Sequence, residues 1–219
     1  VALTPDRVRA YREDYRAEVV GSGYRGWLHL ATLTAICVTA IIAALAMIES
    51  FRWIELLIVP GAWVMANLIE YAAHRGPMHH LGFGFGRLYR RHTSQHHRFF
   101  SREVMAVDSS DDFQATLFPA WLSLFFVGLI GVPMALVVYW LLGRDLALLF
   151  YAAIVSYYLI YEWAHLSAHM PEDSALGRLP LIGFARSHHG LHHDPTKMRR
   201  ANFNFALPLA DWLFGTWER

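Results

Sequence analysis

Ten of the 13 histidines fall into four short groups. They are His74-x4-His79, His92-x3-His96-His97, His165-x3-His169 and His189-x2-His192-His193. Neutral imidazole is the commonest side-chain ligand for a transition metal. A lone histidine is ordinarily structural or at the surface, but four tight groups in one chain form the pattern of a metal centre. Cys37 is the single cysteine, so thiolate sites and internal disulfides are excluded by count, and nitrogen or oxygen must hold any metal. One ion takes about four to six ligands, so ten imidazoles suit two ions with four or five each. Such ligation accommodates Fe, Zn, Cu or Ni, and spacing does not choose among them. His80 and His188 flank the groups, and His29 stands apart at the edge of an apolar run.

Helical spacing says how these side chains would be aimed. His165 and His169 are one turn apart, and so are His92 and His96, with His97 about 100° further round and placed for a second metal. His189, His192 and His193 share one face of a helix that contains Gly190. Two other metal chemistries fail on the residues. A zinc protease helix needs His-Glu-x-x-His, and the glutamate position holds Leu166. A ferritin-like di-iron bundle needs two Glu-x-x-His pairs. Glu162 and His165 make one, whereas Glu70 lies four residues before His74. Glu162 reads as a polar group at a helix end or as a partner of a ligand, rather than as a ligand itself.

The elements that must carry the histidines are membrane spans. Hydrophobic residues make up 55% of the 219-residue chain and charged residues 17%, a balance tilted toward a bilayer. About 20 apolar residues cross a bilayer core. Trp27 to Ile48, Trp53 to Ala73, Leu117 to Leu142 and Leu146 to Leu166 are four such runs, with Pro60-Gly61 expected to kink the second. The turns Glu49–Arg52 and Gly143–Asp145 are so short that the spans pair as two hairpins. An even number of crossings then separates the histidine groups, which puts all four on one face. Residues 74–112 carry six arginines, whereas the opposite turns carry Arg52 and Arg144. By the positive-inside rule the histidine face and both termini are cytoplasmic.

The chain therefore reads as an all-α integral membrane protein. Four transmembrane helices form two hairpins, and a cytosolic helical cap holds a dinuclear metal site. The expected organisation is an amphipathic interfacial segment at 1–26, hairpin 1 at 27–73, cap segment 74–112, hairpin 2 at 113–169 and the C-terminal cap at 170–219. Thr4 and Pro5 start a helix rather than a signal peptide. Val8, Tyr11, Tyr15 and Val19 recur at helical spacing, as on a helix lying at the membrane surface or on one packed against the cytosolic part. The run Leu81–Gly86 lacks the spacing of a dinucleotide fingerprint and reads as a loop or an apolar lip. Tyr157, Tyr158, Tyr161 and Trp163 sit where an interfacial aromatic belt would. Net charge is +1 and no basic stripe with interleaved aromatics appears, so no nucleic-acid partner is expected.

The four histidine patterns resemble the fatty acid hydroxylase and sterol desaturase superfamily of integral membrane di-iron enzymes. So does the tail, Asn202-Phe203-Asn204 followed by Asp211 to Thr216. The likeness runs from about His74 to the C-terminus. It departs in the three residues between His92 and His96, where two are commoner, and in the extra His80 and His188. The resemblance implies His74, His79, His92, His96, His97, His165, His169, His189, His192 and His193 as metal ligands. It implies two Fe ions, with Zn as a substitute on purification, and O2 as co-substrate. The implied reaction is attack on C–H bonds of a membrane lipid, giving hydroxylation or desaturation. An alkyl C–H bond offers no acidic proton and no carbonyl to polarise, so its cleavage belongs to metal–oxygen chemistry. Reducing equivalents are expected from a separate electron-donor protein. Asp194, Asn202 and Asn204 are candidate hydrogen-bond partners of ligand N–H groups, and Arg90, Arg91 and Arg98 candidate holders of a lipid head. Carotenoid hydroxylation and aldehyde decarbonylation are the alternatives within enzymes. A membrane metal carrier or sensor is the alternative outside them.

Overall fold

Long apolar runs in a chain with few charges can satisfy their backbone only by winding into helices when no water is at hand. A computed structural model describes residues 4–82 and 84–219, and the described chain is helical, without a β-strand. The expectations for 1–26 and 81–86 therefore fall partly, at residues 1–3 and at Phe83, outside the described residues. Four helices have the length and composition to cross a membrane: α2 (Gly26–Ala46), α3 (Trp53–Met78), α4 (Ala120–Leu142) and α5 (Arg144–Ala168). Before them stands α1 (Pro5–Glu18), and after them α6 (Pro180–His192) and α7 (Leu209–Leu213). The protein is a multi-pass membrane protein.

The chain divides into two compact units. One comprises Leu28–Ala66 and Phe118–Glu162, and the other Val1–Trp27, Asn67–Leu117 and Trp163–Arg219. The first unit is made of span segments, and its outward surface is apolar: Leu129, Trp140 and Leu141 are 67%, 81% and 74% exposed. Its interior is thin, with Ala62, Phe150 and Ala153 at the centre and Trp63 and Met65 packed on them. Three of the aromatic residues near the end of α5, Tyr157, Tyr158 and Tyr161, face protein rather than forming a belt. Tyr157 meets Trp63 edge-on, Tyr161 stacks on Phe118, and the Tyr158 hydroxyl lies 3.1 Å from Ser123 Oγ.

Pro60 and Pro133 are accommodated by a change of winding, and Pro77 lies inside the π-helical turn His74–Met78. The chain is 3-10 over Trp53–Leu57 and α from Ile58, so Pro60 stands in the first α turn, where its missing N–H is not needed. Likewise a π-helical stretch, Phe125–Gly131, precedes Pro133 in the first turn of Val132–Leu142. Gly143, at φ 93°, ends α4 in a conformation that only glycine adopts readily, and α5 begins at the next residue. The two short turns are tied together within this unit. Asp145 Oδ2 accepts from Ser50 N (2.9 Å) and Ser50 Oγ (3.0 Å), and Arg144 pairs with Glu49.

The second unit holds α1, the ends of the spans, and all polar segments that carry histidine. Val8 and Tyr15 of the apolar series read from periodicity pack, and Arg12 is buried with them; Tyr11 is half-buried and Val19 exposed. Thr4 precedes the first turn but its side chain makes no capping bond. Gly26 starts α2 at a close approach, since a Cβ there would stand 1.9 Å from the Ser110 carbonyl oxygen. Asp211, fully buried, organises the C-terminal stretch by accepting from Phe203 N (2.9 Å), Asn204 N (2.7 Å) and Thr216 Oγ1 (2.7 Å).

Candidate metal centre

The ten histidines of the four groups converge in the second unit, each no more than 5% exposed. Their ring nitrogens sort into two clusters. His74, His79, His92, His97 and His192 form one; His96, His165, His169 and His189 form the other, with all ligand atoms within a cluster lying inside 4.8 Å of one another. His193 adjoins the second cluster, its Nε2 at 2.9 Å from His189 Nε2 and 3.1 Å from His96 Nε2. His80 is exposed, and His188 belongs to neither cluster but stacks on Phe184 and faces Asp211 at 3.7 Å.

Local winding explains the sorting. His74–Met78 and Arg90–His96 are π-helical turns, whose wider pitch brings residues i and i+5 over one another. His74 pairs in this way with His79, and His92 with His97, the latter at 3.1 Å between Nε2 atoms. The α-helical reading of this segment paired His92 with His96 and sent His97 elsewhere. The structure reverses it, because the turn is π rather than α: His96 is the residue that goes to the other cluster. On α5 and α6, which are α-helical here, the i and i+4 pairs do meet: His165 with His169 and His189 with His193. His192, about 100° away on the same helix, points into the first cluster instead of sharing a face with His189 and His193.

The protonation pattern follows from the backbone. Nδ1 of His96, His169, His192 and His193 donates to the carbonyls of Ala115 (3.0 Å), Met105 (2.8 Å), Ala201 (2.8 Å) and Phe100 (2.9 Å), and Nδ1 of His74 donates to Phe203. A carbonyl oxygen only accepts, so the proton of each neutral ring sits on Nδ1 and Nε2 carries a bare lone pair. His96 Nε2 and His193 Nε2 nevertheless face each other at 3.1 Å. Two lone pairs at that distance repel unless a cation lies between them. Adjacent nitrogens held at right angles around an ion with bonds of about 2.1 Å stand roughly 3.0 Å apart. The close Nε2 pairs stand from 2.8 Å (His74–His92) to 3.3 Å (His96–His165) apart, and all ligand atoms of a cluster lie within 4.8 Å of one another, so the donor set fits a metal.

Burial, followed by repulsion from neighbouring imidazoles, holds His92, His97, His189 and His79 well below the ordinary imidazole pKa. His96, His169, His192 and His193 are lowered in the same way, against the pull of their carbonyl partners. At neutral pH these rings are uncharged, the form that binds a metal. Phe205 closes the site from one side, its ring 4.3 Å from that of His189, 4.7 Å from His165 and 5.0 Å from His74.

The sequence model of the fatty acid hydroxylase family matches residues 59–216. The chain belongs to the fatty acid hydroxylase family. No curated protein and no solved structure matches the chain. Membership makes it an oxidoreductase of the lipid hydroxylase or desaturase type, and favours that reading over a metal carrier or sensor.

Within this family member the groups that brace the imidazoles are not the side chains expected. Asp194 caps its own turn through Thr196 N (2.9 Å). Asn202, in the left-handed region at φ 58°, donates to the His188 carbonyl (3.0 Å) and accepts from Glu218 N (2.8 Å). Asn204 donates to the Asn67 carbonyl (3.0 Å). None of the three bonds a clustered ring; main-chain carbonyls take Nδ1 of His74, His96, His169, His192 and His193, Thr93 Oγ1 lies 3.3 Å from Nδ1 of His79, and Nδ1 of His97 and of His189 is buried without a hydrogen-bond partner among the described residues. Arg91 is likewise engaged, donating to the carbonyls of Gln114 (2.6 Å) and Leu117, and Arg98 lies 4.3 Å over the Tyr11 ring. Asp211 was legible only as part of the tail pattern. Burial works to raise its carboxyl pKa, but the hydrogen bonds it accepts outweigh this and keep it below the usual range.

Proposed function

We propose that the chain is an iron-dependent membrane oxygenase that hydroxylates or desaturates a lipid taken from the bilayer. The ten clustered histidines hold two irons: the first by His74, His79, His92, His97 and His192, the second by His96, His165, His169 and His189 with His193 beside them. The facing bare nitrogens of His96 and His193 carry this reading, since a neutral pair has no proton to share and calls for a cation. Iron is the metal this family uses, and when bound it supplies the activation of O2 that cleavage of an unactivated C–H bond requires.

The protein's own part is to hold and to shield. Carbonyls fix the ring orientations, burial keeps the rings neutral, and Phe205 with Phe203 and Phe100 keeps water from the imidazoles. Electrons come from a separate donor protein. The cap (74–112 and 170–219) and both termini lie on the cytoplasmic side, in keeping with the six arginines of 74–112. The residues 1–26 form the N-terminal segment, and 27–73 and 113–169 the two hairpins.

The test is metal analysis and turnover. Purified protein should carry about two metal equivalents, iron or substituting zinc. With iron, a reductant system and O2 beside membrane lipids, mass spectrometry should detect products gaining one oxygen or losing two hydrogens. Protein that binds no metal, or retains its full complement after His192→Ala and His193→Ala, would refute the reading.

A further inference from the structure

The carbonyls that orient the second cluster lie in residues 100–115, and this stretch is gripped by a residue outside the family-matched region. Arg12, on α1, is 1% exposed. Its Nε donates to the Phe99 carbonyl (2.8 Å), Nη2 to Val104 (2.9 Å), and Nη1 to Ala106 (2.9 Å) and to Asp108 Oδ2 (3.2 Å). The guanidinium also lies over the rings of Phe99 and Phe100, at 4.8 Å and 5.1 Å. Three main-chain positions, 99, 104 and 106, are thus pinned by one planar fork. Between them stand the two carbonyls that matter: Phe100, which accepts from His193 Nδ1, and Met105, which accepts from His169 Nδ1. Phe100 also lays its ring 3.9 Å from that of His169.

A buried guanidinium held mainly by carbonyls, with Asp108 as its ion-pair partner, is a costly choice for mere helix docking, which apolar contacts at Val8 and Tyr15 already provide. Only arginine presents N–H donors in several fixed directions of one plane. We propose that Arg12 is a positioning residue of the second metal position: it fixes the 99–106 main chain and so sets the rings of His169 and His193, while the first cluster is independent of it. This rests on the two-iron reading above.

Arg16 provides the comparison on the same helix. It binds Asp112 through Nε (2.8 Å) and Asp108 through Nη2 (2.6 Å), and holds no carbonyl of 99–106. The experiment titrates the full-length, metal-stripped protein in detergent with cobalt(II), following equivalents bound and the visible ligand-field spectrum. Wild type is expected to take two equivalents. Arg12→Lys and Arg12→Met should bind the first as wild type does. The second should weaken by roughly 10–100-fold, the range seen when partners of ligand rings are lost, with its spectrum altered. Arg16→Met should leave both affinities within about twofold. Arg12 variants that bind both equivalents with wild-type affinity, or that lose both positions in parallel, overturn the proposal. If Arg12→Met does not fold, Arg12→Lys, which keeps the charge but loses the fork, decides the matter. Fewer than two equivalents on wild type is a different result: it refutes the two-metal reading before any variant is examined.

Discussion

The two histidine clusters are built alike and braced differently. The first takes its backing from the C-terminal stretch: Ala201 and Phe203 offer carbonyls to His192 and His74, and Asp211 holds Phe203 and Asn204 in place. The second takes its backing from residues 100–115, with Phe100, Met105 and Ala115 behind His193, His169 and His96, and Arg12 outside them. An acidic hub stands behind one cluster and a basic hub behind the other. The acidic hub lies inside the family-matched residues and the basic one does not. The difference teaches that a shared ligand pattern does not require a shared means of holding it; the main chain does the orienting, and any side chain that fixes the main chain serves.

The comparison is broken most severely by removing ligands. His97→Ala and His192→Ala should each abolish turnover and release one metal equivalent, while His96→Ala and His189→Ala release the other. The two pairs should be distinguishable by the spectrum that survives. If His96 and His97 variants lost the same equivalent, the π-turn pairing would be wrong.

Acid should act on both clusters together. An unfolded histidine titrates near 6.5, whereas the folded rings of His92, His97, His189 and the others sit well below. Below about pH 6.5 the unfolded chain therefore takes up protons that the folded chain refuses. The stability contributed is fully present above that pH and is lost as pH falls, by up to about 1.4 kcal/mol per pH unit for each ring kept neutral. Urea unfolding of the metal-stripped protein should show midpoints level above pH 7 and declining below 6.5. A profile level down to pH 5 would contradict the burial of these groups.

Asp211→Asn sharpens the contrast at one hub. An asparagine has a single acceptor oxygen for N–H groups that now bond two, so Phe203 or Asn204 is left unpaired at about 1–3 kcal/mol. The first metal position should weaken by roughly 10–100-fold and the second should not change, as read by metal titration. Thr93→Val should be the mildest. Thr93 Oγ1 donates to the Met78 carbonyl (2.6 Å) beside His79, and its loss should cost about 0.5–1.5 kcal/mol of stability in thermal melts, with metal stoichiometry intact.

What could be read in advance followed residue type and period. Four apolar runs announced four spans because bilayer thickness leaves little choice of length. The histidines announced a metal because imidazole in such numbers has few other uses. The winding of 90–97 was not legible, since no residue spells a π turn, and so His96 and His97 were exchanged between positions. Nor were the ring partners: a carbonyl belongs to every residue, so Phe100, Met105 and Ala201 carry no mark of their role. Arg12 looked like one charge among many on α1, because pattern reading expects apolar residues on a buried face.

Each cluster is also a stitch across the chain. His192 joins residues His74 to His97 in one, and His189 joins His96 with His165 and His169 in the other. Neither set exists until the segment carrying α6 has left the ribosome. A nascent chain with all four spans already inserted still lacks a member of both sets. A metal held by either set would therefore be loaded only after the four spans are made, and would close a long loop as it bound.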